Sequence, residues 1–331
     1  MKKSSEKQPS VVGLFSGCGG LDLGFKRAGF DILWANDFNA DSVKTYERNI
    51  GDHIVLGDIT KISSKEIPSN FDVLLGGFPC QGFSVANTYR NKDDSRNKLY
   101  MQIVRLLKES KPKFFLLENV AGILSLEKGA VVKQIVKELT NVNKRASGGY
   151  EVRYMKLNAA DYGVPQNRIR VIFLGISKSF NKSAREKMFK YFPPEPTHVP
   201  DGDMINNKYL SLRDAIFDLG DPDENYPIPN HICNKHKVKI NGYIGNRKLD
   251  WDKPSPTIVG RGGGTGGPVI AVHPDLKRRF SVRETARIQT FPDDFVFKGA
   301  ISSQFRQIGN AVAVGFAEHL GNMLSSIQKH I

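Results

Sequence analysis

Short apolar runs that break at glycine or at an acid, and are followed by stretches with helical apolar spacing, constrain this 331-residue chain more than any other feature. Val11-Val12-Gly13-Leu14-Phe15 breaks into Ser16-Gly17-Cys18-Gly19-Gly20 and resumes with helical spacing over residues 21–28. Residues 30–35 lead to Asp37 and Phe38, residues 53–56 to Gly57-Asp58-Ile59, residues 71–75 to Gly76-Gly77, and residues 113–117 to Glu118-Asn119-Val120. Runs of this kind read as strands of a parallel sheet covered on both faces, so the chain is α/β. Ligands of open α/β sheets bind at the carboxyl ends of the strands, which makes the residues just past each run the functional candidates.

Cys80 is the sharpest of these, because Phe78-Pro79-Cys80-Gln81-Gly82-Phe83-Ser84 follows directly on the strand predicted at residues 71–75. A thiol at that edge is better placed to react than to pack, and the next predicted strand ends in Glu118, which is either a solvated terminal acid or a carboxylate facing the same edge. Residues 85–98, polar and containing Arg96, read as a lid beside the nucleophile. Arg168 and Arg170, in Gln166-Asn167-Arg168-Ile169-Arg170, share one face of a strand and are either a surface stripe or a pair of anion and base contacts.

The first glycine turn presents backbone and helix amides to a ligand, and Asp37, about twenty positions on, suits a ribose hydroxyl. That pattern also fits a nicotinamide dehydrogenase, but Asp22 stands where the dinucleotide fingerprint has its third glycine. Asp58 is either a turn residue or an acceptor for an adenine amino group. From residue 181 to about 275 the chain is richer in Pro, Asn, Lys and Gly and reads as a second, irregular domain, apart from a short helix near residues 210–219. Its Arg261-Gly262-Gly263-Gly264-Thr265-Gly266-Gly267 run suits backbone lying against a nucleic acid strand. His231, Cys233 and His236 lack a fourth ligand at zinc spacing, so no metal is expected. Ser281-Val282-Arg283-Glu284 is a capping box that starts a helix, and residues 307–312 introduce a terminal helix with Phe316, Leu320, Met323, Leu324 and Ile327 on one face.

The formal charge of +14 favours a polyanionic partner such as DNA or RNA. Three cysteines, Cys18, Cys80 and Cys233, with no signal peptide or long apolar span, imply reducing cytoplasm and no membrane.

Taken in order, Phe15-Ser16-Gly17-Cys18-Gly19-Gly20, Gly57-Asp58-Ile59, Gly77-Phe78-Pro79-Cys80-Gln81, Glu118-Asn119-Val120, Gln166-Asn167-Arg168-Ile169-Arg170, Arg283-Glu284-Thr285-Ala286-Arg287 and Gly309-Asn310-Ala311-Val312 resemble the C5-cytosine DNA methyltransferases of bacterial restriction-modification systems. The resemblance implies a Rossmann-like S-adenosylmethionine (SAM) domain with a smaller, irregular target-recognition domain. The boundaries it suggests are 1–180 for the first part of the catalytic domain, 181–275 for recognition, 276–302 for a hinge and return segment, and 303–331 for a C-terminal helix completing the catalytic domain.

By the same resemblance Phe15, Ser16, Gly17, Gly19, Gly20, Leu21, Asp37, Phe38, Asp58, Ile59, Pro79, Leu99 and Asn310 line the SAM site, and Cys80, Glu118, Arg168 and Arg170 surround the target cytosine. Gln81, Ser84, Arg96, Thr257, Arg261, Gly263 and Gly264 are the implied DNA contacts. The implied cofactor is SAM, leaving as S-adenosylhomocysteine, with no metal. The implied partner is double-stranded DNA with a short specific site, met by a monomer, with a cognate endonuclease acting on that site. The tRNA-methylating branch of the superfamily is the alternative, disfavoured by Gln81-Gly82-Phe83 and by the large insert. A catalytically dead DNA-binding module is disfavoured by the intact set of Cys80, Glu118, Arg168 and Arg170.

Overall fold

Successive residues of the central strands feed two separate cores, which is why those strands read as unbroken apolar runs. The computed structural model describes residues 8–78, 95–142, 148–223, 225–233, 249–260, 272–275 and 278–329. Its sheet contains β1 (Ser10–Leu14), β2 (Asp31–Asp37), β3 (Ile54–Leu56), β4 (Val73–Gly77), β5 (Phe114–Val120), β6 (Tyr150–Asn158) and β7 (Ile169–Ser177), in the order β3-β2-β1-β4-β5-β7-β6. Phe114 and Leu116 of β5 enter one core and Phe115 and Leu117 the other, and all four are fully buried.

Helices cover both faces. The first core is closed by α1 (Gly20–Arg27), through Leu21 and Phe25, and by the terminal helix described below. After α2 (Ala40–Asn49), the second core is closed by α3 (Ser95–Ser110) and α4 (Ala130–Asn141), through Ile103, Leu106, Leu107, Ile135 and Leu139. The strands from β1 to β5 run parallel, whereas β7 is antiparallel to both β5 and β6. That reversal is not visible in the sequence pattern.

The insert carries α5 (Lys182–Met188) and α6 (Leu212–Ile216) and is otherwise largely irregular among the described residues. Leu212 and Ile216 of α6 pack with Ile258, Phe280 and Ile288, which joins the insert to α7 (Val282–Ile288). The predicted capping box is present: the Ser281 hydroxyl accepts from the Glu284 amide, and the Glu284 carboxylate accepts from the Ser281 amide. Arg283, fully buried, donates to the carbonyls of Pro229, Pro292 and Phe295 and so ties α7 to the segments before and after it.

One sequence expectation is corrected here. Residues 307–310 do not introduce the terminal helix; they end a separate helix, α8 (Ile301–Asn310), and after an extended Ala311 the chain turns into α9 (Val314–Gln328). Its start is silent in the sequence because the N-cap is Ala300, which offers no capping side chain, and its buried face includes Ser303, Gln304 and Gln307. Among the described residues no helix is long and apolar enough to cross a membrane.

The fold depends on α9 covering the sheet. Phe316 is 1% exposed, and its ring lies 5.3 Å from that of Tyr162. Phe316→Ala should lower stability by about 3–5 kcal/mol, read as a lower urea midpoint without a large change in slope.

Candidate active site

The register of three strands assembles the reactive edge. β4 and β5 run parallel with Gly77 beside Glu118, and the Glu118 carboxylate lies 3.5 Å from where a Cβ on Gly77 would stand. β7 runs antiparallel to β5 with Arg170 opposite Val120. Glu118, two residues before Val120, therefore shares a face with Arg170 diagonally across the pair. Arg170 Nε lies 2.7 Å from Glu118 Oε1, both side chains are about nine-tenths buried, and Arg170 Nη1 donates to the Ile169 carbonyl. The carboxylate is thus held by one guanidinium at the mouth of the sheet.

Asn119, which had no role legible in the sequence, also builds this edge. It is buried, and its amide donates to the Phe78 carbonyl at 2.9 Å while its oxygen accepts from the Val120 amide. This fixes the chain just past β4, two residues before Cys80. Pro79, Cys80, Gln81, Ser84, Arg261, Gly263 and Gly264 lie outside the described residues, and of Arg96 only the backbone, in α3, is described.

Arg168, expected beside the target cytosine, is packed against backbone. It sits near Arg170 and Glu118, but it is 2% exposed and its terminal nitrogens are committed to backbone. Nη1 donates to the Ile258 carbonyl at 2.8 Å, and Nη2 to the carbonyls of Gly309 and Ala311 at 2.9 and 2.8 Å. Burial, then the Arg170 charge, push its pKa down to about 9. It remains the cation that those carbonyls require.

On the other half of the edge the carboxyl ends of β1, β2 and β3 form a second cluster. Phe15, Gly17 and Gly19 all have left-handed φ, at 57°, 57° and 91°. Glycine adopts this freely, whereas at Phe15 it is a strained conformation of the sort found at functional sites. Gly19 caps α1 with no side-chain cap, which leaves the helix amides to a ligand. Asp37 holds the turn: Oδ2 accepts from the Gly17 amide and Oδ1 from the Asn39 amide. Burial raises its pKa despite those amides, which pull the other way.

Phe38, next in the chain, is 76% exposed, an aromatic face with no core to enter. Asp58 is exposed. The amide and hydroxyl of Thr60 both donate to its Oδ1 and hold its pKa below the usual carboxylate range, and Oδ2 is left open among the described residues. Asn310 is exposed at the end of α8. Four other expected cofactor residues are packed rather than open. Leu21 and Ile59 are buried in the two cores, Leu99 packs partly buried against the second, and a Cβ on Gly20 would strike the Val312 carbonyl at 2.3 Å.

Thr257 is half-buried, its hydroxyl donating to the Asn167 carbonyl. His231 does not point to a metal: Nδ1 lies 2.9 Å from the Ser281 hydroxyl and Nε2 lies 2.8 Å from the Gly220 carbonyl. Among the described residues no group of three or more His, Cys, Asp or Glu side chains is arranged to hold a metal ion.

A family model described as C-5 cytosine-specific DNA methylase matches residues 10–326. The type II methyltransferase M.MthTI of Methanothermobacter thermautotrophicus is 38% identical over 344 residues, spanning 95% of this chain and 96% of its own. M.NgoFVII of Neisseria gonorrhoeae is 37% identical over 332 residues, spanning 93% of this chain and 84% of its own. Among solved structures, a DNA modification methyltransferase encoded within an E. coli prophage is similar with a TM-score of 0.72 and 26% identity, over 97% of this chain and 100% of that one. The S. pombe Dnmt2 methyltransferase, at 18% identity and a TM-score of 0.66 over 98% and 99% of the two chains, shares the fold.

Asp22 lies beneath the glycine turn, 1% exposed, with the hydroxyls of Ser16 and Tyr46 against it. Burial, opposed by those hydroxyls and aided by Asp37, raises its pKa to about 6. A carboxyl whose folded pKa exceeds its unfolded value binds its proton more tightly in the native state, so it detracts from stability as pH rises through that interval. Asp22→Asn should therefore gain stability relative to the parent between pH 4 and pH 7, by about 2–3 kcal/mol. Denaturant unfolding of both proteins at several pH values checks this, and a pH-independent difference would refute it.

Proposed function

This chain belongs to the C-5 cytosine-specific DNA methylase family, as a DNA (cytosine-5)-methyltransferase of the type II restriction-modification kind, and we propose that it methylates C5 of a cytosine flipped out of a short specific duplex sequence through a covalent adduct on Cys80. The observation that carries the proposal is the Glu118–Arg170 pair set beside Gly77, at the strand end that leads into Pro79-Cys80.

Cytosine C5 is too weak a nucleophile to accept a methyl group unaided. Addition of the Cys80 thiolate to C6 makes C5 enamine-like and moves negative charge toward N3, where Glu118 delivers a proton. Arg170 orients that carboxyl and, from the same face, donates to the base. C5 then takes the methyl group and loses its proton to a base, the electrons of that C–H bond expel Cys80 as thiolate, and N3 returns its proton to Glu118. None of these atoms is reachable inside a stacked duplex, so the nucleotide must leave the stack, with Gln81 and residues 85–98 as candidates to fill the space.

The residues around the glycine turn fit SAM, which when bound supplies a methyl group on a sulfonium. Phe38 offers its open face to the adenine, Asp37 a lone pair to the ribose, Asp58 Oδ2 an acceptor for the adenine amino group, and the uncapped amides of α1 a place for the carboxylate. Asn310, exposed at the end of α8, is a further cofactor contact, and Pro79 is the other residue assigned to the cofactor. Residues 181–275 form the target-recognition domain, with Thr257 and the glycine run from Arg261 as DNA contacts. The enzyme acts as a monomer, and a cognate restriction endonuclease is the activity that its methylation blocks.

Asp58→Ala should weaken SAM binding by about 1.5–3 kcal/mol in calorimetry, the loss of one hydrogen bond to a charged group, and leave DNA binding without cofactor nearly unchanged. The covalent step has a sharper test. With fluorine at C5 of the target cytosine, thiolate addition and methyl transfer still proceed but no proton can leave. A SAM-dependent complex with duplex DNA, stable to denaturing electrophoresis, should accumulate with Cys80 in the crosslinked peptide. Cys80→Ala should bind the site and form none. Methylation by Cys80→Ala, or a trapped peptide containing Cys18 or Cys233, would overturn the mechanism.

A further inference from the structure

The motif Gln166-Asn167-Arg168-Ile169-Arg170 divides its labour. Arg170 faces Glu118, whereas Gln166 and Arg168, both buried, grip the peptide of Ile258 from its two sides. Gln166 Oε1 accepts from the Ile258 amide and Arg168 Nη1 donates to the Ile258 carbonyl, each at 2.8 Å. Around this grip the backbone is zipped: Ser255 donates to the Pro165 carbonyl, Asn167 to the Ser255 carbonyl, and the Thr257 hydroxyl to the Asn167 carbonyl. Residues 255–260 are the arm that leads into the glycine run beginning at Arg261.

The same two side chains reach the other way. Arg168 Nη2 donates to the carbonyls on either side of Asn310, those of Gly309 and Ala311. Gln166 Nε2 donates to Gln289 Oε1, and Gln289 donates to the Ile308 carbonyl. The arm is also in direct contact with the end of α8: a Cβ on Gly309 would stand 2.2 Å from the Val259 carbonyl carbon and 2.3 Å from the Gly260 nitrogen.

We propose that Gln166 and Arg168 are positioning residues that couple the SAM pocket, at Asn310, to the DNA-contacting arm, at residues 257–260, so that duplex and cofactor each tighten the binding of the other. This rests on the reading of Asn310 as a cofactor contact and of the glycine run as a DNA contact. The physical reason is the buried cation. If the arm moved without the end of α8, one guanidinium would lose part of its acceptor set with no water to replace it, which is strongly unfavourable. The planar fork spans three carbonyls of two segments, a geometry that an ammonium does not reproduce. Linkage then requires that whatever tightening DNA confers on the cofactor, the cofactor confers on DNA.

The test uses a duplex carrying the site found by bisulfite sequencing of a methylated random-sequence library, and S-adenosylhomocysteine as the cofactor probe in calorimetry. In the parent enzyme the duplex should raise probe affinity by about 5–150-fold. In Arg168→Lys, and separately in Gly309→Ala, which pushes the arm away while keeping the arginine side chain itself, that gain should fall to about twofold or less. In both variants the SAM KM at saturating DNA should rise by a larger factor than kcat falls. An undiminished gain in either folded variant would overturn the proposal. So would loss of covalent trapping on 5-fluorocytosine duplex in Arg168→Lys at saturating SAM, because Arg168 would then act on the base itself. A parent enzyme that methylates no cytosine in the library would instead refute the functional reading, which separates the two failures.

Discussion

The antiparallel seat of β7 between β5 and β6 is the constraint from which the rest of the site follows. Were β7 parallel, its first residues would lie at the opposite end of the sheet from Glu118. Running the other way, it begins where β5 ends, so Arg170 meets Glu118 and the preceding residues meet the arm and α8. One strand reversal thus sets both the charge at the reactive edge and the joint between the two parts of the molecule.

Buried arginines recur as internal ties in this fold. Arg168 and Arg283 each place a desolvated guanidinium on three backbone carbonyls contributed by distant segments. An irregular insert cannot satisfy its own carbonyls with regular secondary structure, and a five-donor fork does so without imposing strand or helix geometry. This lets the insert keep irregular loop conformations while remaining fixed to the sheet and its helices.

Polar groups at the glycine turn after β1 work differently. Asp37 accepts backbone amides on both oxygens and so shapes the glycine turn, whereas Asp22 sits under that turn in a setting that raises its pKa to about 6. Tyr46, against Asp22, also lies 3.0 Å from His53 Nε2, so this buried acid is connected to a half-exposed imidazole whose own pKa burial lowers. The turn is held by one carboxylate and underlain by another that resists ionisation.

The sequence by itself determined the alternating strands and helices, the capping box at Ser281, and the positions of the strand-end residues, because these depend on local periodicity and on hydrogen bonds between near neighbours. It also carried the family, since the motifs stand in order along nearly the whole chain. The direction of β7, the separate helix α8 and the burial of Arg168 were decided only by tertiary structure. Strand direction depends on which partners a strand finds. Helix α8 starts at an alanine and buries polar side chains whose partners, such as Thr45 for Gln307, lie hundreds of positions away. An arginine in a strand reads the same whether it faces solvent, a base or three carbonyls. Only the packing of residues 258, 309 and 311 around Arg168 distinguishes these, and that packing joins segments that no local pattern connects.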